Sequence, residues 1–575
     1  MKMKLLEKFK KNKKISVLII IIILLGLFLR FNDYGQESFH GDCMAYFSPA
    51  LFWFYPHDYY PGLSGMGEPA LGHFFIGLGC LASGEDFSGV TETQPMFYPG
   101  REILFGKEIV NAERYCHIPI YIFGLLFFIT IVIFALVLLD LYSAAYFIGF
   151  FAFSLQILRY SRWMQLNIFV FFFSILGLLF LWKAYTAEKA TKKELIFFIL
   201  SSIGFALAFS SKLPAVMYLI LLIFLLLEKY KDEILFIFHI LFQNLGLNLL
   251  SKYKQSVNLK SLIKISLASI LAFASVLFIT FEFSFMNIFR VIQQYRSHSG
   301  DINAIGINLH FYQGFTKFLY NVNSLDMLIF FFSIYILIRL IFKKERTKLE
   351  KFILYSLCLL IFLTLTFQII TMLQRAFSIF FFGLILLMAL TFSNKNYSII
   401  KLLKFSKKNL FFIFMIIYVV HSFSIAFSDS PYFHSPPNKL LCMLTTNEET
   451  FDNYCRVTYT NDRDLAEFMG SLLEEDETFL PSGFINHYLR HEEHLTYYMF
   501  RQTAISQLHR EPTLEEYIQY YKPLNRTVRY IIVSPNSKDI QPLNLGPEYE
   551  PNYRIKIKGI DSKWIYDLQN LTKRK

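Results

Sequence analysis

Six cysteines in a chain of 575 residues are too few for a disulfide scaffold, and none of their spacings has the pattern of a zinc site. Five of them, Cys43, Cys80, Cys116, Cys442 and Cys455, fall on or near what is read below as the outer side, where disulfides persist. Cys442 and Cys455 form the best local pair. Charge is also scarce, at 17% against 54% hydrophobic residues and a mean hydropathy of +0.41, which excludes an ordinary soluble protein. The first apolar run, 15–29, has no small-residue cleavage site after it and reads as a retained anchor instead of a signal peptide. No internal repeat is evident. The net charge of +12 does not point to nucleic acid, because residues 1–428 carry +16 and residues 429–575 carry −4. The excess belongs to loops of the apolar part.

What the chain has in abundance is apolar length. Runs such as 118–139 and 352–367 approach the roughly 20 residues that cross about 30 Å of hydrocarbon. Basic clusters at 2–14, 183–193, 229–264, 343–351 and 395–408 all become cytoplasmic, as the positive-inside rule requires, if there are about eleven transmembrane helices. These fall near 15–30, 117–139, 142–158, 166–182, 195–210, 213–228, 264–281, 325–342, 352–371, 376–392 and 409–427. The apolar stretch 234–250 is interrupted by His239, Gln243, Asn244, Gly246 and Asn248, and reads as a helix on the cytoplasmic surface. The fold class expected is therefore an α-helical polytopic membrane protein of the plasma or inner membrane. Its N-terminus would be cytoplasmic. The 66 phenylalanines are assigned to lipid-facing packing and codon bias, with no function attached.

The first outer loop, 31–115, breaks this pattern. Eleven acids lie between Asp33 and Glu113, against only Arg101, Lys107 and Arg114. A connection of that length is usually functional. Asp42 in His40-Gly41-Asp42 and Glu68 before Pro69-Ala70-Leu71-Gly72-His73 are its candidate chemical groups. The stretches 42–55 and 69–81 are apolar and aromatic but too short to span. A second outer loop, 282–326, contains Arg296 and His298. After Ser428 the texture is soluble, with a helix at 462–473 and strands at 478–480, 528–533 and 553–558. Residues 429–575 are expected to form a small α/β or α+β extracytoplasmic domain beside a transmembrane domain of residues 1–428.

Lone cations mark outer span ends: Arg159, Arg162, Lys212 and Arg375. Ionisable residues at such positions are functional hypotheses by default. Snorkelling to headgroups is the plain alternative for any one of them. Together they make a basic floor below an acidic loop. Such a floor can hold a lipid-linked phosphate while charge develops on it, and a carboxylate above can deprotonate an attacking hydroxyl.

Several segments, in order, carry a resemblance: Asp42-Cys43-Met44-Ala45-Tyr46, Glu68-Pro69-Ala70-Leu71-Gly72-His73, Ser161-Arg162-Trp163-Met164-Gln165-Leu166-Asn167, Phe209-Ser210-Ser211-Lys212, Tyr295-Arg296-Ser297-His298 and Arg375. They are similar to those of GT-C fold membrane glycosyltransferases that use polyprenyl-phosphate sugars. The closest in style are the dolichyl-phosphate-mannose protein mannosyltransferases and the aminoarabinose transferase of lipid A. The resemblance covers residues 15–428. It implies transfer of a single sugar, with inversion, from a dolichyl-type carrier to a protein or glycolipid acceptor on the outer face. Asp42 would be the general base and Glu68 a second carboxylate. Arg162, Lys212 and Arg375 would grip the carrier phosphate, with Arg296, His298, Asn167 and His73 around it.

The departures from that pattern are Cys43 where the family has Glu and Asn167 where it has Asp. They leave Asp42 the main base and weaken a metal-assisted version; the need for a divalent metal stays open, and no cofactor is required. The tryptophans are Trp53, Trp163, Trp182 and Trp564, so the Trp-Trp-Asp signature of oligosaccharyltransferases is absent. A transporter or flippase, or a carrier-binding protein without turnover, are the rival readings.

Overall fold

The computed structural model describes residues 9–32, 70–85, 107–162, 166–235, 259–281, 340–356, 407–429, 439–446, 462–480, 513–533 and 549–573, apart from single-residue or two-residue gaps, together with a few short pieces between them. The chain divides into two compact units. One comprises residues 1–31, 61–75 and 120–428, and the other 32–60, 76–119 and 429–575.

The first unit is helical. Its elements are α1 (Lys13–Phe31), α2 (Ala70–Leu81), α3 (Lys107–Leu138), α4 (Leu141–Phe153), α5 (Leu155–Tyr160), α6 (Asn167–Thr186), α7 (Lys192–Ser211), α8 (Val216–Lys229), α9 (Leu259–Thr280) and α10 (Lys407–Asp429), with the C-terminal part of α2 and the N-terminal part of α3 counted in the second unit. Among the described residues, five helical stretches are long and apolar enough to cross a membrane: Lys13–Phe31, Arg114–Leu138, Asn167–Thr186, Lys192–Ser211 and Lys260–Thr280. The outward face of α9 is apolar, with Leu267, Ile270, Leu271 and Ile279 all more than half exposed. Such a face is costly in water and natural in lipid.

Two expectations change in this unit. The span expected at 142–158 is two helices, α4 and α5, because Ser154 takes an extended conformation (ψ 116°) between them. Asp140 starts α4 by accepting hydrogen bonds from the backbone N–H groups of Tyr142 (3.0 Å) and Ser143 (3.3 Å), as an N-cap should. Many phenylalanines also face other helices and not lipid. Phe123 lies 4.7 Å from both Phe75 and Phe169, ring centre to ring centre, and Phe127, Phe128, Phe134 and Phe147 are fully buried. Offset and edge contacts of this kind add about 0.5–1.5 kcal/mol each beyond burial. Of the stretch 234–250 read as a surface helix, all but residues 234–235 lies outside the described residues, as do the span expected at 376–392 and all but residues 352–356 of the span expected at 352–371.

Glycines set how closely the helices approach. A Cβ on Gly204 of α7 would come within 2.9 Å of the Gly177 Cα of α6, and Ser201 Oγ donates to the Gly177 carbonyl at 3.0 Å. Small residues of this kind let membrane helices pack backbone to backbone.

In the second unit, Cys80 of α2 and Cys116 of α3 form a disulfide, both fully buried. The partners are 36 residues apart, which is why a search for local pairs passes over them. A Cβ on Gly79 would strike Pro119 and the Tyr115 carbonyl at 2.6 Å, so glycine there is what brings the two helices close enough to be linked. Cys442 is also disulfide-bonded; Cys455, its expected partner, lies outside the described residues. By loop-closure entropy the 80–116 bond is worth about 4 kcal/mol. Cys80→Ala is therefore expected to lower the melting temperature of the purified protein under non-reducing conditions, whereas in reductant, which opens this bond and that of Cys442 alike, wild type and variant should melt together. An unchanged melting temperature would show the bond to be idle.

The rest of that unit holds α11 (Lys439–Leu444), α12 (Asp462–Leu472), β1 (Glu477–Leu480), α13 (Leu514–Tyr521), β2 (Thr527–Val533), β3 (Tyr549–Glu550), β4 (Tyr553–Ile557), β5 (Ile560–Asp567) and β6 (Thr572–Lys573). Four strands form a sheet in the order β1-β2-β5-β4, with β1 and β2 parallel and the other pairs antiparallel. A parallel pair needs a long crossover, and α13 lies in it. That helix begins with a capping box, Thr513 and Glu516 each bonding the other's backbone N–H. Its Tyr517 and Tyr521 join Leu480, Ile531, Val533 and Tyr566 in the core. Arg529 on β2 reaches Asp567 (2.7 Å) and Glu477 (3.4 Å). Burial pushes the Asp567 carboxyl up, but hydrogen bonds from Arg529, Asn570 and the Gln569 N–H outweigh it and hold it below its ordinary value. Helix 462–473 and the three strands expected from sequence are present within a residue or so; β5 was not foreseen.

Candidate functional site

Polar side chains buried at one end of the first unit mark the site, and α1 shows how the sequence builds it. Gly26 is where α1 and α4 touch: a Cβ there would lie 2.8 Å from the Ala152 Cβ. Residues four apart share a helix face, so Arg30 stands one turn beyond that contact. It meets the end of α4, where the last carbonyls of a helix lack intrahelical partners. The guanidinium donates to Phe151 O (2.8 Å) and Ala152 O (3.4 Å), and to Gly26 O within its own helix (2.9 Å). It lies 4.2 Å from the ring centre of Phe128 and is 2% exposed. This cation caps the negative end of α4.

Arg162 makes the reverse connection. It follows α5 in a turn closed by hydrogen bonds from the Ser161 N–H and Arg162 N–H groups to α5 carbonyls, and its Nη1 donates to Leu29 O at the end of α1 (3.4 Å). Arg162 is fully buried, the largest such side chain among the described residues. Gly124 of α3 makes room for its turn. A Cβ on Gly124 would lie 2.8 Å from Ser161 Cβ and 2.9 Å from Ser161 O.

Asn167 opens α6 and is 4% exposed. Next to it, Leu166 fills the space a Cβ on Gly72 would need, at 2.6 Å, and Phe75 stacks on Phe169 at 5.5 Å. These contacts hold α2 against the start of α6 and bring His73, 1% exposed, beside that helix end. Helices α6 and α7 run antiparallel through the Gly177–Gly204 contact. Following that register from Gly177 back to Asn167 leads from Gly204 forward to Pro214, so Asn167 and Lys212 share a level. Lys212 terminates α7 in an extended conformation and is 3% exposed. A 3-10 turn, Leu213–Ala215, follows it, and Ser210 Oγ is bonded to Thr280 Oγ1 of α9 at 2.6 Å.

Four of the nine sequence candidates, Arg162, Lys212, Asn167 and His73, are thus described, and all four are buried where helices of the first unit end. Asp42, Glu68, Arg296, His298 and Arg375 lie outside the described residues. Arg30 was missed. As the boundary of the acidic loop it looked like a terminal residue, yet a cation closing the first span on the side away from the basic loops was the signal.

The fold and these groups define a multi-pass helical membrane protein with cations buried at its helix ends. No protein-family model matches the chain, and no curated protein matches its sequence. Among solved structures, it is similar to the oligosaccharyltransferase of Archaeoglobus fulgidus in the apo form, with a TM-score of 0.48 and 12% identity. That match covers 92% of this chain and 70% of the other. It is also similar to the Archaeoglobus fulgidus oligosaccharyltransferase AglB in complex with an inhibitory peptide and a dolichol-phosphate, at TM-score 0.46 and 11% identity, covering 91% and 69% of the two chains.

Proposed function

We propose that this chain is a membrane glycosyltransferase of the GT-C type, moving one sugar from a polyprenyl phosphate to a protein or lipid acceptor on the outer face. The observation that carries the reading is the burial of Arg162 and Lys212 at helix ends of an apolar bundle. Guanidinium and ammonium groups are expensive there unless an anion or strong acceptors use them. A phosphate at the end of an isoprenoid that enters between helices is an anion delivered to that depth. Arg162 and Lys212, with Arg375, would hold it and stabilise the charge it gains on leaving. Asp42 would take the acceptor proton as the oxygen attacks the anomeric carbon from the opposite side, giving inversion. The buried Cys80–Cys116 bond supports an outer location for the first loop, since disulfides persist in oxidising compartments. In this reading the transferase domain is residues 1–428, with the catalytic outer loop 31–115, and residues 429–575 form an extracytoplasmic domain.

The test is transfer of label from a polyprenyl-phosphate [14C]sugar by membranes containing the chain, with the product sorted by protease sensitivity into protein and lipid. Arg162→Ala and Lys212→Ala should raise KM for the carrier by about tenfold or more, the cost of a lost charge-assisted contact. Movement of the carrier between leaflets without transfer would replace this reading with a flippase.

A further inference from the structure

The last turn of α1 does two jobs at one peptide unit. Leu29 O receives Arg162, and the next side chain, Arg30, ties α1 to the carbonyls that end α4. Among the described residues, Arg30 has no carboxylate partner and its Nε has no acceptor. An arginine cannot shed its proton to escape burial. A charge kept in such a place has to be held by carbonyl dipoles and the face of Phe128, which is what surrounds it. The two helix ends α1 and α4 each present a negative pole, and each is answered by the arginine of the other strand of the connection.

We infer that Arg30 is a positioning residue for Arg162. By bridging Gly26 O, Phe151 O and Ala152 O it fixes the peptide whose carbonyl anchors the Arg162 guanidinium, and so sets where that guanidinium points. The inference rests on the proposed function, in which Arg162 holds the carrier phosphate. A planar fork suits the bridge, because its donors hold carbonyls of two helices in fixed directions, whereas the donors of an ammonium rotate and fix none.

A double-mutant cycle on the full-length protein in lipid nanodiscs tests it, reading the affinity for undecaprenyl phosphate. Arg162→Ala should weaken binding about tenfold or more, and Arg30→Met by a similar factor. The double variant should be no weaker than Arg162→Ala alone, because Arg30 acts through Arg162. Arg30→Lys should fall between wild type and Arg30→Met, and it serves in the cycle if Arg30→Met does not fold. In transfer, KM should rise with kcat retained. Multiplying effects in the double variant, or wild-type affinity in Arg30→Lys, would overturn the positioning role. Unchanged binding in Arg162→Ala would instead overturn the proposed function itself.

Discussion

Asp42→Asn is expected to cut sugar transfer by about 10²–10⁴-fold while leaving the affinity for undecaprenyl phosphate where it was, the range a positioned general base contributes. Asparagine keeps the size and much of the polarity of the carboxylate but cannot accept the acceptor's proton at neutral pH. Carrier binding would not follow, because in this reading the phosphate is held by cations on other helices. Glu68→Gln should be the milder change, since that residue precedes a proline-rich helix start and its charge also suits the N-terminal end of α2. The measurement is initial rate against acceptor at saturating carrier, paired with carrier binding. Full activity in Asp42→Asn would remove that residue from the mechanism. Loss of binding along with rate would mean that the loop organises the carrier site and that Asp42 is not its base.

What was legible in the sequence followed the length of the apolar runs, and what was not depended on contacts between distant residues. The helices α1, α6, α7 and α9 were plain because long apolar runs in a membrane protein have few other outcomes. The break at Ser154 was not, since nothing in Phe153-Ser154-Leu155 punctuates a helix; the reason is tertiary, with Arg30 drawing the α4 carbonyls. The same holds for Cys80–Cys116, whose proximity depends on Gly79 lying over Pro119. Arg162 and Lys212 were found because charges are rare among apolar residues. Arg30, equally rare, was hidden by standing at a boundary between two textures. In the tail, alternation revealed β2, while β5 escaped because polar Asp561, Ser562 and Lys563 follow Ile560 in its first half, where it pairs with β4 at the sheet's edge.

The loops between basic clusters were read only as positive charge, and there the structure adds most. At the end of α6 and α7 away from Lys212, Glu194 is fully buried. Its carboxylate forms an ion pair with Lys229 Nζ at 2.8 Å and accepts hydrogen bonds from the Tyr230 hydroxyl at 2.9 Å and the Ala190 N–H at 2.7 Å. That last bond holds Ala190 at a φ of 63°, a left-handed conformation that alanine adopts only when its surroundings impose it. Lys229 is bound in turn to the carbonyls of Ala184 and Ala187, and Lys189 reaches Glu233 at 3.0 Å. The lysines that the positive-inside rule would place in the cytoplasm are thus also ties that close α6, α7 and α8.

Glu194→Ala is accordingly expected to destabilise the protein by about 3–5 kcal/mol, the usual result of stranding one partner of a buried ion pair. Lys229 would be left buried with only carbonyls to accept its three protons, and the Ala190 turn would lose its clasp. Thermal unfolding in detergent reads the loss directly. Replacing both partners, as in Glu194→Met with Lys229→Met, should recover a good part of it, because two apolar side chains can fill the space that the pair occupies. Carrier affinity, measured below the melting transition of each variant, should stay at the wild-type value, since this network lies at the opposite end of α7 from Lys212. A melting point unmoved by Glu194→Ala would show the network to be ornamental; a lowered affinity at intact fold would mean that the two ends of α7 are coupled.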